Sequence, residues 1–105
     1  MNTEKKPLFF DMIFSKSNLE IIKELQKNNS PLQFKDLKFI KNPQTNKKYS
    51  TRTISESLKE LEETGIITNE VIIKSNRKRI GYKVTEKGKI TLKILKEAEE
   101  KYKKL

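Results

Sequence analysis

The stretch from residue 50 to residue 59 is rich in side chains that can donate hydrogen bonds. A helix beginning here would present free backbone N–H groups and a positive dipole end, a combination that suits a phosphate. Ser50, Thr51 and Thr53 would add hydroxyl groups at that end. One turn further along, the guanidinium fork of Arg52 matches the O6 and N7 acceptors of guanine. The stretch is therefore suited to hydrogen bonds with phosphates and base edges.

Each of these side chains also has a plainer interpretation. Arg52 could hold a phosphate without reading a base, or pair with Glu56 four residues later. Glu56 could accept a hydrogen bond from cytosine N4, although a surface ion pair or a capping role is the favoured interpretation. The candidate contacts of this stretch are Ser50, Thr51, Arg52, Thr53, Ser55, Glu56 and Lys59.

The apolar residues of the same stretch predict the helix that would present these donors. Ile54, Leu58 and Leu61 recur at spacings of four and three, which places them on one stripe facing a core. Ser50 or Thr53 can cap the start, and Gly65 can end the helix in the left-handed conformation. We therefore expect a helix over 50–64. Its second half is acidic, so contact with a polyanion should be confined to its first two turns.

A second cationic cluster falls in a predicted β-hairpin. Residues 68–74 and 80–85 have the composition and alternation of strands, and residues 75–79 would form the loop between them. Arg77 and Arg79 suit a narrow minor groove, whose negative potential attracts guanidinium groups; a merely solvated basic turn is the alternative. Cations without an intervening acid repel one another unless they meet phosphate. The cations here are Lys74, Arg77, Lys78, Arg79 and then Lys83, and Asn76 joins the candidate contacts.

A polar, basic connection over 41–49, broken by Pro43, is expected to be a surface loop. Lys47 and Lys48 could reach phosphates from this loop, but lysine-rich loops are also ordinary protein surface. Both interpretations remain open.

Overall composition narrows the classes of function. The 105 residues contain 24 Lys and Arg against 14 Asp and Glu, a net charge of +10 that favours nucleic acid first and an anionic membrane surface second. Cysteine and histidine are absent, which removes thiol chemistry, the usual general base and the usual transition-metal ligands. We expect no enzyme activity, cofactor or metal. No apolar run has the length of a membrane span, so we expect a cytoplasmic protein without a membrane partner.

The remaining segments predict helices on either side of a core. Residues 8–16 are crowded with apolar side chains and could either cover the core or dock on a second copy. Ser17 and Asn18 are expected to cap a helix over 19–27, and a shorter helix is expected over 33–40. Phe34, Phe39 and Tyr82 are interpreted as core residues.

Thr85 can cap the last helix, over 86–105, which carries a narrow apolar stripe of the kind that pairs helices. Little chain remains to cover this stripe, so a second identical subunit is its expected partner. The candidate dimer contacts are Leu8, Phe9, Phe10, Ile13, Leu95, Ala98, Tyr102 and Leu105.

The order helix, helix, helix, basic hairpin, helix is that of a winged helix-turn-helix. The fold expected is mainly α with a small β-hairpin: a single domain over 1–105, with a three-helix core and two-stranded wing over 18–85 and extra terminal helices for dimerisation. Three motifs resemble the HxlR-type winged-helix transcription regulators. They are Phe34-Lys-Asp-Leu37, then Ile54-Ser55-Glu-Ser-Leu58-Lys59-Glu-Leu61-Glu62-Glu-Thr-Gly65-Ile-Ile67, and Tyr82-Lys-Val84-Thr85-Glu-Lys-Gly88.

This resemblance implies a homodimeric, sequence-specific regulator that binds double-stranded DNA, with the 50–64 helix in the major groove and the wing, about 74–80, on the backbone or minor groove. Two features depart from the family pattern. The connection over 41–48 is longer than the family's short turn, and the chain lacks the cysteine through which several relatives sense oxidants.

A winged helix that binds RNA or docks on a protein is the alternative, because the fold serves both purposes. Single-stranded RNA binders usually expose stacking rings beside their cations, whereas the aromatic residues here occupy apolar patterns. A membrane-surface role would require the last helix to keep a free apolar face in a monomer.

Overall fold

The computed structural model describes residues 15–28 and 30–105. Most of the predicted 8–16 helix, including its candidate dimer contacts Leu8, Phe9, Phe10 and Ile13, lies outside the described residues. The elements, in chain order, are α1 (Lys16–Lys27), α2 (Phe34–Leu37), α3 (Thr51–Glu63), β1 (Ile67–Lys74), β2 (Arg77–Val84) and α4 (Glu86–Lys103). The predicted class, mainly α with a basic hairpin, is confirmed.

The core lies between α1, α3 and the base of the hairpin. Burial of the aliphatic stripes on both helices removes apolar surface from water, which is the main force holding this small domain together. The stripe predicted on α3 is buried as expected. The buried apolar residues are Ile21, Ile22, Leu25, Leu37, Ile40, Ile54, Leu58, Leu61, Ile66, Ile67 and Val84.

The start of α1 differs from the prediction. Ser15 occupies the N-cap position, so Ser17 and Asn18 lie inside the first turn rather than before it. Both are buried against α3: the Ser17 and Ser57 hydroxyls are 2.7 Å apart, and Asn18 Nδ2 donates to Glu60 Oε1 at 3.3 Å. These polar residues therefore fix α1 against α3 instead of capping it.

The helix predicted over 33–40 is a single turn, 34–37. Gln33 caps it, with the Gln33 backbone N–H donating to Asp36 Oδ2 at 2.9 Å. Ile40 is buried, but Phe39 is 67% exposed, so the prediction that Phe39 belongs to the core is wrong. The chain leaves the helix after Leu37, and the apolar spacing of three no longer places successive residues on one face.

The wing is longer than predicted. Its strands pair antiparallel from Ile67 with Val84 to Lys74 with Arg77, so that only Ser75 and Asn76 form the turn. Both have positive φ, 51° and 62°, as a two-residue turn matching the twist of paired strands requires. The predicted five-residue loop over 75–79 is therefore wrong, and the arginines of that segment belong to β2.

Two further contacts attach the wing to the helices. Leu32 forms an isolated antiparallel β-bridge with Tyr82 at the open edge of β2. At the start of α4, Thr85 Oγ1 accepts from the Gly88 N–H at 3.0 Å and donates to Gly65 O at 2.6 Å. The predicted Thr85 cap is thus confirmed, and it also ties α4 to the end of α3. In the described part of the chain, no helix is both long and apolar enough to cross a bilayer.

Candidate nucleic-acid interface

The N-terminal end of α3 is fixed by one serine. Ser50 Oγ accepts from the Thr53 backbone N–H at 3.1 Å and its hydroxyl lies 2.9 Å from Thr53 Oγ1. Ser50, and not Thr53, is therefore the N-cap. The N–H groups of Thr51 and Arg52 precede the first intrahelical bond, so they are free to donate outward. The exposed start of α3 thus offers two backbone donors at the positive end of a helix dipole.

Arg52 forms an ion pair with Glu56 in the unbound protein. Arg52 Nε lies 3.2 Å from Glu56 Oε2, and the two side chains are 87% and 63% exposed. An exposed pair at this spacing contributes only about 0.3–0.5 kcal/mol, so a stronger acceptor can replace the glutamate. The terminal amino groups of the guanidinium remain available. The ion pair considered from the sequence forms, and it leaves a base contact possible.

The opposite end of α3 is occupied by contacts within the domain. The amide of Asn69 in β1 donates to the Glu62 carboxylate, and Glu60 accepts from Asn18. Thr51, Ser55 and Lys59 are exposed on the outward face nearer the start. The exposed surface near the start of α3 therefore coincides with the candidate contacts, and in the acidic half Glu60 and Glu62 contact α1 and β1 whereas Glu63 is exposed.

The strand register divides the wing into two faces. Lys74 pairs with Arg77 and Ile72 with Arg79, so these three cations share one face, whereas Lys78 pairs with Ile73 on the other. All four cations are exposed, and none has a carboxylate within 4 Å among the described residues.

Two features of the wing were not predicted from the sequence. Lys83 pairs with Glu70 at 2.8 Å, so it is not part of the free cationic set. Val71, Ile73 and Ile80 form an exposed apolar face beside Lys78. Only the register reveals both, because cross-strand neighbours are remote in sequence. Asn76 lies in the turn itself, where its left-handed backbone serves the hairpin.

The predicted loop over 41–49 is a surface connection with internal structure. Lys41 and Lys48 form an isolated β-bridge, and both Lys47 and Lys48 are exposed. Lys48 Nζ lies 4.7 Å from the centroid of the Phe39 ring, within cation–π distance. Sequence reasoning missed this aromatic contact because it assigned Phe39 to the core.

Tyr49, next to the N-cap of α3, is not a contact residue. Its hydroxyl is buried without a hydrogen-bond partner in the described structure. Burial raises the pKa of the Tyr49 phenol, and the nearby carboxylate of Glu20 raises it further. The neutral ring therefore serves packing beneath the interface.

The predicted apolar stripe of α4 borders an open groove against α1. The groove has a volume of about 810 Å³, and Leu95 is half-buried in it whereas Tyr102 is 76% exposed. Leu105 lies beyond the helix and is fully exposed. The apolar residues lining the groove are Leu19, Leu92, Leu95, Ala98 and Tyr102.

Among the described residues, no cluster of three acidic, histidine or cysteine side chains could hold a metal ion. The arrangement that remains is a helix start with free donors, a cationic wing and a basic connection, all of them suited to a polyanion.

Both the sequence and the fold of the chain are similar to those of known transcriptional regulators. The sequence pattern of the HxlR-like helix-turn-helix family matches residues 12–104. The transcriptional regulator YodB from B. subtilis has a similar structure in its reduced form, with 27% identity, a TM-score of 0.65, and coverage of 86% of this chain and 80% of that one. Its diamide-treated form gives a TM-score of 0.67 at the same identity, with coverage of 86% and 81%. No curated protein matches the chain significantly.

A similar fold occurs in smu.1704 from Streptococcus mutans, with 23% identity, a TM-score of 0.59, and coverage of 83% of this chain and 78% of that one. At this identity the likeness concerns the fold alone.

Proposed function

The chain belongs to the HxlR-like helix-turn-helix family of DNA-binding transcriptional regulators, and from this premise we propose that it reads a specific duplex sequence as a homodimer. The resemblance noted in the sequence and the expectation that the chain is not an enzyme are confirmed by the family. The finer proposal assigns DNA binding to the 18–85 region and dimerisation to the 86–105 region.

The proposed reading element is the start of α3. Its exposed first two turns would enter the major groove. There Arg52 would leave the Glu56 carboxylate and donate hydrogen bonds to guanine O6 and N7. Ser55 and Lys59 are exposed further along the helix and would also face the bases. Ser50, Thr51 and Thr53 would hold a phosphate with the free backbone donors. Glu56 would be released to solvent or to cytosine N4.

The proposed wing contact is sequence-independent. Lys74, Arg77 and Arg79 on one face, and Lys78 on the other, would neutralise backbone phosphates or enter a narrow minor groove. Asn76 would add a polar contact at the tip. The observation that carries the proposal is the exposed α3 start in the same domain as a wing whose four cations have no carboxylate within 4 Å among the described residues.

The proposed dimer would use the α4 stripe at Leu95, Ala98, Tyr102 and Leu105, together with Leu8, Phe9, Phe10 and Ile13. An apolar groove along α4 supports this, since a second copy could cover it. Two-fold symmetry would place the two α3 starts about one DNA turn, ~34 Å, apart on an inverted repeat.

Binding to RNA is the second candidate, and one observation favours it. The exposed Phe39 ring beside Lys48 contradicts the expectation that all aromatic residues are packed inward. Among the described residues Phe39 is the one exposed ring beside the α2–α3 cations, and one ring provides one stacking surface, whereas single-strand binders align several. Duplex DNA therefore remains the better supported partner.

Selection from random duplexes, with sedimentation to count subunits, tests this function. We expect enrichment of an inverted repeat whose half-site centres are about one helical turn apart. A parallel selection from single-stranded RNA is the control. Enrichment of RNA alone, or of no duplex sequence, would reject the proposed function.

A further inference from the structure

The connection between α2 and α3 is a folded hairpin, and we call residues 41–48 the α2–α3 finger. The Asn42 N–H donates to Lys47 O at 2.9 Å, and the Asn46 N–H donates to Asn42 O at 2.7 Å. At its base the Tyr49 N–H donates to Ile40 O at 3.2 Å. Lys41 and Lys48 are therefore paired at the base of the finger, and only Tyr49 separates the finger from the N-cap Ser50.

Side chains within the finger hold its shape. Asn42 Oδ1 accepts from the Gln44 N–H at 2.9 Å, and Thr45 Oγ1 accepts from the Lys47 N–H at 3.3 Å. Asn46 has φ of 59°, a left-handed conformation that asparagine tolerates better than most residues. Such a segment is ordered before it meets a partner, so binding would cost it little conformational entropy.

The finger and the neighbouring α2 form a strongly cationic surface. The only acid between residues 35 and 48 is Asp36, and its Oδ2 already accepts from the Gln33 N–H. Among described residues, none of the lysines here has a carboxylate within 4 Å, and Phe39 lies beneath the Lys48 ammonium. The exposed lysines are Lys35, Lys38, Lys41, Lys47 and Lys48.

We propose that the α2–α3 finger binds the phosphate backbone of duplex DNA beside the half-site that α3 reads. This inference rests on the proposed function and extends it: the domain would grip DNA through a third element, in addition to α3 and the wing. The assigned contacts are Lys41, Lys47 and Lys48, with Phe39 as a positioning residue that holds the Lys48 ammonium outward.

The reach of the finger fits this role. Residues 41 and 42 pair with residues 48 and 47, and residues 43–46 form the turn at the tip, so the finger projects by about two extended residues, ~7 Å, plus the turn. Because the finger adjoins the N-terminal end of α3, the end proposed to enter the major groove, its lysines would lie towards the phosphates at the edge of that groove, which is about 12 Å wide. One ring with clustered ammonium groups suits a phosphate backbone better than a series of unstacked bases.

The test compares two variants of equal charge on the full chain. The finger variant is Lys41→Gln, Lys47→Gln and Lys48→Gln; the control is Lys93→Gln, Lys101→Gln and Lys103→Gln in α4, outside every proposed contact. The probe is a duplex of about 30 base pairs and arbitrary sequence, because phosphate contacts do not depend on sequence. Binding is followed by fluorescence anisotropy over a range of KCl concentrations.

We expect the finger variant to reduce the slope of log affinity against log salt by about 2–3, since each lost phosphate contact removes about 0.9. The control variant should change this slope by less than about 0.9, the value for one phosphate contact. Equal slopes for the wild type and the finger variant, or equal losses in both variants, would overturn the finger's role. Absence of duplex binding by the wild type would instead reject the proposed function.

Phe39→Leu tests the positioning role and the alternative ligand together. Loss of an exposed cation–π contact should weaken duplex binding about 2- to 5-fold. The slope of log affinity against log salt should change by less than about 0.9, because no charge is removed. Circular dichroism should show an unchanged fold, because Phe39 is outside the core. If the finger variant and Phe39→Leu weaken binding to a single strand of uridine but leave duplex binding unchanged, the finger is a single-strand site and the proposal fails.

Discussion

Arg52 illustrates how one exposed side chain can serve two partners. In the unbound protein it pairs with Glu56 at 3.2 Å, and the pair is too exposed to hold the guanidinium strongly. Binding would exchange one carboxylate for two acceptors on a guanine edge. In the proposed complex, the glutamate would hold the arginine near the helix face until DNA replaced it.

Arg52→Ala should weaken binding at selected sites by about 1–3 kcal/mol and relax preference at one base position.

The double variant Arg77→Ala and Arg79→Ala should instead weaken binding to all duplexes. It should also reduce the slope of log affinity against log salt by about 2. Titrations of the selected site and of random DNA at several salt concentrations distinguish the two patterns. An equal loss on both DNAs for Arg52→Ala would show that it holds phosphate and reads no base.

Residue types predicted the candidate contacts on α3, because a stripe and a cap are local in sequence. The structure places the predicted donors at one exposed helix end. Residue types could not predict the Lys83 pair with Glu70 or the exposure of Phe39, since the first depends on strand register and the second on where α2 ends.

At the scale of elements, the joint between the wing and α4 is the tightest constraint. A Cβ added at Gly88 would lie 2.3 Å from Ile66 O and 2.6 Å from Val84 Cγ1. Gly88 therefore permits α4 to begin directly against the end of the α3–β1 connection. Gly88 ends the third motif quoted from the sequence, and the structure shows why a glycine is needed there: a side chain would collide with Ile66 and Val84.

Gly88→Ala should lower the free energy of unfolding by about 1–3 kcal/mol or more, because backbone must move to admit the methyl group. In an unconstrained helix the same change would be stabilising by about 1 kcal/mol, so the sign alone is informative. Lys89→Ala, next in the helix and exposed, is the matched control and should change stability by less than about 0.5 kcal/mol. Urea titrations of both variants measure this; a stabilised Gly88→Ala would refute the close packing.

The bounds of α3 were predicted best, because apolar periodicity and a capping residue agree there. The predicted α2 was too long, because Phe34, Leu37 and Ile40 keep a spacing of three although the helix ends at Leu37. The predicted β2 was too short because three basic residues have little strand propensity, and because Ser75-Asn76 lacks the glycine usual in such turns. In both cases tertiary pairing overrode local preference.

At the scale of the whole molecule, the exposed apolar stripe of α4 requires an explanation. Leu92 and Leu95 pack partly on the core, but the turns beyond them contact little of the described domain. A second copy is the proposed cover. The net charge of +10 would favour a DNA-bound dimer over a free one, because phosphates screen the repulsion between subunits.

Tyr102→Ser should shift the protein toward monomer without unfolding it, since the ring is 76% exposed in the single chain. Lys103→Ser, also exposed and one residue later, is the control and should leave the subunit count unchanged. Sedimentation velocity at several concentrations gives the count. A monomeric wild type, or a Tyr102→Ser protein that remains fully dimeric, would contradict the assignment of this stripe.

The most direct measurement of the central claim maps which end of α3 faces DNA. The chain contains no cysteine, so Ser55→Cys and Glu63→Cys each give a single site for a tethered DNA-cleaving reagent. The two positions lie about 12 Å apart along the helix. We predict cleavage centred in the selected half-site from position 55 and little from position 63. Equal cleavage from both positions, or stronger cleavage from position 63, would contradict the claim that the start of α3 enters the groove.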